Sequence, residues 1–239
     1  MDPELVSAVL EDASQAPVSA RLRAALEIAE AITRDPGGSY SDLLGRARDA
    51  GLDDAAIEDL ANVAFHFNFI NRVADALDFE LPTADKVPLL AKFLDRAKTM
   101  ASRERPSPSL VTAPGGQLRP VEIQIGHEAI LHGSATLDPA RRVAAEAFTA
   151  RLRGGVRPML EVPAALSPYL EKLANNAYKI TDEDLEALRD AGYDKDGIFE
   201  LTLAGAWGAS MAGLEGILGE LSAVPRARPA EASRPRSAV

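Results

Sequence analysis

In the segment FNFINRVADAL, Phe67 to Leu77, the residues Asn68, Asn71, Arg72 and Asp75 recur at the three- and four-residue spacing that places side chains on one helical face. A guanidinium presents five donors in a planar fork that matches a carboxylate, a carboxylate can take up and return a proton, and two amides can orient a bound molecule. Two readings follow. In the first, Arg72 pairs with Asp75 at i,i+3 and the asparagines bond backbone across an interface, which makes a structural polar network. In the second, Asn68, Asn71 and Arg72 bind a small acidic or apolar ligand, and Asp75 acts on a carboxylate that Arg72 holds, with His66 as a further catalytic group. If the Arg72–Asp75 pair is buried, Arg72→Leu alone strands a carboxylate at a cost of about 3–5 kcal/mol.

Other chemistry-bearing residues are sparser. His127 and His132, with Glu128 near them, could share a metal only if a loop bent their i,i+5 spacing, because on a helix the two rings point in different directions. No metal site and no cofactor is expected. The acidic runs TDEDLE and GLDDAAIED have the composition of helix caps and first turns, and neither has calcium-loop spacing. The phosphate-loop, dinucleotide and nucleophile-elbow patterns are absent. With 0 cysteines in 239 residues there can be no disulfide, zinc–thiolate site or thiol nucleophile.

The net charge of −10 bears on partners. Residues 225–239 carry Arg226, Arg228, Arg234 and Arg236 against Glu231, so the rest of the chain is more acidic than the total and should repel phosphate backbones. No nucleic acid is expected as a partner. The N-terminus MDPELVSAVLEDAS has acidic residues among its apolar ones and lacks the pattern of an export signal, and Leu201 to Leu214 is too short and glycine-rich to span a bilayer. The expectation is a cytoplasmic protein without membrane segments.

These residues must be positioned by helices, and the helices recur. At an offset of 141 residues, RDAGLDDAAIEDL from Arg48 aligns with RDAGYDKDGIFEL from Arg189. Each copy predicts a helix closed by Gly51 or Gly192 in the left-handed conformation, then a second helix capped by Asp53 or Asp194 and stapled by Leu52 or Tyr193 onto Ile57 or Ile198. An amphipathic helix precedes each pair, over Val18–Thr33 and Tyr169–Lys179. At the offset, His66 falls on Trp207, which favours a packed ring with one hydrogen bond over a base.

Four regions follow: a first helical repeat with an N-terminal helix (1–103), a Pro/Gly-rich connection (104–137), a second helical repeat (138–224) and a disordered basic tail (225–239). Within the connection, VEIQI alternates and predicts one short strand over Val121–Ile125. The helix through Ile57–Leu77 changes face halfway. Leu60, Ala61, Ala64 and Phe67 make its first apolar face, Ile70, Val73 and Leu77 its second, and the polar four lie on the side that was apolar one turn earlier. Ala209, Ala212, Gly213 and Gly216, the second-repeat equivalents of those four, form a smooth face. Either a homo-oligomer uses that face, or the two repeats pack on each other inside one chain.

At Phe67–Leu77 and at YLEKLANNAYKITDEDLEALRDAGYDKDGIFELTLAGAWG, Tyr169 to Gly208, the chain resembles the carboxymuconolactone decarboxylase and alkylhydroperoxidase D-like superfamily. The resemblance implies an all-α fold, here two tandem alkylhydroperoxidase D-like helical repeats forming a bundle. Peroxidase members carry Glu, a C-x-x-C pair and His on the second helix. In register with Glu58, those cysteine and histidine positions hold Ile70, Val73 and Leu77; in register with Asp59 they hold Asn71, Ala74 and Asp78. The second half gives Met211, Leu214 and Leu218, or Ala212, Glu215 and Gly219. Thiol peroxidase activity is therefore excluded. What the resemblance leaves is a non-redox protein that binds a small molecule or a partner subunit, or a cofactor-free decarboxylase, lyase, isomerase or hydrolase.

Overall fold

The computed structural model describes residues 3–79, 110–112 and 118–223, and the expected basic tail lies outside them. The described chain is all-α apart from one small hairpin: α1 (Pro3–Glu11), α2 (Ala20–Arg34), α3 (Ser41–Asp49), α4 (Asp54–Ala76), β1 (Leu110–Thr112), β2 (Leu118–Pro120), α5 (Val121–His132), α6 (Pro139–Leu152), α7 (Ser167–Asn176) followed by a 3-10 turn (Ala177–Lys179), α8 (Asp182–Asp190) and α9 (Lys195–Ala223). Among the described residues, no helix is long and apolar enough to cross a membrane.

The two helix–turn–helix corners form as their residues dictate. Gly51 has φ +90° and Gly192 φ +91°, a conformation that costs only glycine nothing. Their following residues, Leu52 and Tyr193, are buried and donate their amides back to Ala47 and Leu188. Asp53 accepts from the Ala56 amide and Asp194 from that of Gly197, each at 2.8 Å, which satisfies a free donor of the first turn.

Two apolar clusters share the long helices in opposite order. Ile57, Ala61, Ala64 and Phe65 at the start of α4 pack with Ile28, Ile32, Tyr40 and Leu44 and with the end of α9, Met211 to Leu221. Val73 and Ala76 at the end of α4 pack with Leu170, Leu173 and Leu188 and with the start of α9, Ile198 to Ala206. Helix α4 thus crosses between packed environments, as the change of face requires. At the junction Trp207 meets Phe65 and Phe69 edge-on, with centroids 5.0 and 5.2 Å apart.

The structure corrects two expectations and shows which of the two alternatives holds for the smooth face of α9. VEIQI is not a strand but the start of α5, whose Ile123, His127 and Leu131 recur at i,i+4 and are buried; the strand residues are those just before it, with Val111 opposite Arg119. A short alternation cannot distinguish one face of a buried helix from a strand. The smooth face of α9 is not a free surface. Ala209 and Ala212 are buried, and a Cβ on Gly213 would stand 2.7 Å from Ile32 Cγ2, one on Gly216 2.8 Å from Tyr40 Cε2. The chain's own α2–α3 region covers it. Finally, Phe67 and Ile70 are not core: they are 63% and 48% exposed, while Phe65 takes the buried position.

Distant carboxylates tie the loops to α9. Glu220 accepts from the Tyr40 amide at 2.7 Å and from Ser41 Oγ at 2.8 Å, and Glu200 accepts from the Thr136 and Leu137 amides at 2.7 Å each.

Candidate functional site

Four elements meet around one concavity. Asn68 Nδ2 on α4 donates to Thr33 Oγ1 at the end of α2, at 3.0 Å. Arg72 crosses to α7, where its Nε and Nη2 each lie 3.4 Å from the Ala174 carbonyl oxygen; its Nη1 donates to Asn68 O at 2.9 Å and reaches Asn68 Oδ1 at 3.3 Å. Helix α6 supplies the fourth wall. It closes where Gly154, at φ +82°, turns the chain and Gly155 donates to Ala150 O at 2.8 Å. Gly154 lies against Gly37 so closely that a Cβ would come 2.5 Å from the Gly37 Cα, and this contact holds Arg153 beside α2, where its Nη2 donates to the Thr33 carbonyl.

The resulting cavity measures about 240 Å³ and is lined by Thr33, Asn68, Asn71, Arg72, Asp75, Arg153 and the segment Ala174–Tyr178. Its wall contains Asn71, Asp75, Asn175 and Tyr178, all solvent-exposed, so it communicates with water. Arg72 and Asp75 do not close the i,i+3 ion pair. Among the described residues neither Arg72 nor Arg153 has a carboxylate within 4.0 Å, and every acceptor Arg72 contacts is a neutral oxygen. Burial first, then the charge of Arg153, pushes Arg72 down to about 10, with Asp75 opposing. Burial likewise lowers Arg153, opposed by Asp35 and Tyr40, and its Nε is buried without a partner among the described residues. At neutral pH both stay charged, so the cavity holds two cations that no carboxylate among the described residues neutralises at contact.

No family model, curated protein or solved structure matches the chain. The site's chemistry must be read from its own groups.

Asn68, Asn71, Arg72 and Asp75 therefore line one cavity together. His66 does not join them: it is exposed, packs edge-on against Phe65 at 5.1 Å, and its Nδ1 bonds the Asn62 carbonyl at 2.8 Å. His127 is buried on α5 and His132 exposed at its end, and the described residues contain no cluster of three metal-ligating side chains.

A second polar cluster, which the sequence reading missed, is closed rather than open. Arg119 from β2, Arg157 after α6, Glu146 on α6 and Glu215 on α9 are all at least nine-tenths buried at their side chains. Arg119 Nη2 lies 2.7 Å from Glu215 Oε1, Arg157 Nη1 2.8 Å from Glu215 Oε2, and Arg157 Nε 2.9 Å from Glu146 Oε1. Burial raises Glu146 while Arg157 opposes it. Two cations and two anions balance and every carboxylate oxygen is bonded, so the cluster presents no vacant group to a ligand. One sequence signal existed: Glu215 is the single charge between Leu201 and Gly219. Arg153 carried no such signal in the charged run RLRGGVR.

Proposed function

We propose that this chain is a non-redox, cysteine-less protein of the alkylhydroperoxidase D-like kind that works by binding a small anionic molecule, a carboxylate or a phosphate, between Arg72 and Arg153. The observation that carries the reading is the pair of partly buried guanidiniums lining one cavity without a carboxylate partner among the described residues, in a chain whose net charge is −10. An isolated buried charge is costly, and an anion between the two relieves both at once through charge-assisted bonds. A volume of about 240 Å³ is smaller than most drug-sized pockets and suits a compact head group. Asn68 and Asn71 orient the anion, and Asp75 accepts from a ligand hydroxyl or amine. The all-α architecture and the two like helix–turn–helix corners support the family reading.

A cofactor-free lyase or isomerase is the second reading, favoured by Asp75 standing on the wall that holds Arg72. It would proceed without His66.

The test is an amide NMR titration with inorganic phosphate and short carboxylates. Binding should move the resonances of Thr33, Asn68 and Asn71, and Arg72→Gln or Arg153→Gln should abolish the movement. Unchanged titrations in both variants would overturn the proposal. Release of a new product from any bound acid, lost in Asp75→Asn, would establish the lyase reading instead.

A further inference from the structure

A second concavity of about 280 Å³ adjoins the first. It is lined by Ala29, Leu60, Val63, Ala64 and Phe67, and it shares Thr33, Asn68 and Asn71 with the arginine-lined cavity. Its floor belongs to α2 and α4, and two of its walls, Val63 and Phe67, are large apolar side chains left 52% and 63% exposed. Water contact at such groups is unfavourable in proportion to their area, and an apolar group that covers them recovers that free energy. Thr33, Asn68 and Asn71 belong to the walls of both, so a molecule that fills both must be apolar at one end and anionic at the other.

We propose that the site takes an amphiphilic anion, an aliphatic carboxylate whose head lies between Arg72 and Arg153 and whose chain lies along Val63 and Phe67. This deepens the anion-binding reading and rests on it. The shared wall residues select the occupant: a purely polar acid leaves Val63 and Phe67 wet, and a neutral apolar molecule leaves the two guanidiniums unneutralised. Thr33, Asn68 and Asn71 stand where the head group gives way to the chain.

The experiment is a calorimetric series with acetate, butanoate, hexanoate and octanoate, each below its micellar concentration. Affinity should rise by about three- to four-fold per methylene until the groove is full. Phe67→Ser and Val63→Ser, at exposed positions whose replacement spares the core, should flatten that rise. Ile70→Ser, an exposed apolar residue of the same helix outside both cavities, should leave it intact. Arg72→Gln should weaken every member of the series. Equal affinity for acetate and octanoate would overturn the chain-binding inference while the anion site stood. Octanoate binding that ignores Arg72→Gln would overturn both. Concentration-dependent dimerisation abolished by Phe67→Ser would assign the groove to a second copy and overturn the inference.

Discussion

Arg157 grips Glu215 with two parallel contacts, Nη1 to Oε2 at 2.8 Å and Nη2 to Oε1 at 3.1 Å, and so joins the loop after α6 to the middle of α9. Arg119 shares the same carboxylate, so removing Glu215 leaves buried Arg119 without a carboxylate and Arg157 with Glu146 alone. Glu215→Leu should cost about 3–5 kcal/mol in urea denaturation. Glu215→Gln, which keeps an acceptor but not the charge, should cost less. A loss below about 1 kcal/mol in Glu215→Leu would mean the cluster is solvated.

The α6–α9 crossing depends on Gly208. A Cβ there would stand 2.1 Å from the Glu146 carbonyl oxygen and 2.6 Å from Thr149 Oγ1, and it would push apart helices that Thr149 Oγ1 links by donating to Gly205 O at 2.7 Å. Gly208→Ala should destabilise by about 3 kcal/mol or prevent folding. Gly219, in the same helix with nothing near its absent Cβ, is the control: Gly219→Ala should stabilise by about 0.5–1 kcal/mol through helix propensity. Equal melting temperatures for the two variants would contradict this packing.

Arg72 and Asp75 should be only weakly coupled, since Asp75 favours the charged guanidinium from a distance. Asp75 is exposed and forms no ion pair with Arg72 among the described residues, so the large cost expected for a stranded carboxylate does not apply. Arg72→Leu should cost about 1–2 kcal/mol through its lost bonds to Asn68 and Ala174, and Asp75→Leu should be near neutral. The double-mutant coupling should fall within about 0.5 kcal/mol of zero. A coupling of several kcal/mol would restore the paired reading.

His127 makes the fold acid-sensitive. Burial first, then Arg119 and Arg157 and finally His132, pushes its imidazole down to about 3. The unfolded chain takes up that proton near pH 6.5. Between those values the unfolded state binds more protons, so stability is full above about pH 6.5 and falls as pH drops, by at most about 1.4 kcal/mol per pH unit from this group. Urea denaturation near pH 7 and pH 5 should show a smaller pH dependence in His127→Gln. The same dependence in variant and parent would exclude His127 as its source.

The helix–turn–helix corners were legible because their causes are local. A glycine that tolerates positive φ, an aspartate one residue before a helix and an apolar residue between them act within a few residues of one another, as Gly51, Leu52 and Asp53 do. Helical spacing likewise brought Asn68, Asn71, Arg72 and Asp75 to one wall, since a helix's period is set by its backbone. Tertiary structure decided what lies opposite that wall. Arg153 reaches it only because Gly154 and Gly37, far apart in sequence, touch backbone to backbone, and Arg72 is turned from Asp75 by the Ala174 carbonyl of another helix. The covering of the smooth face of α9 and the helical state of VEIQI were settled in the same way. Hydrophobic burial has no direction of its own, so periodicity names the face of a helix while only packing names the partner that covers it.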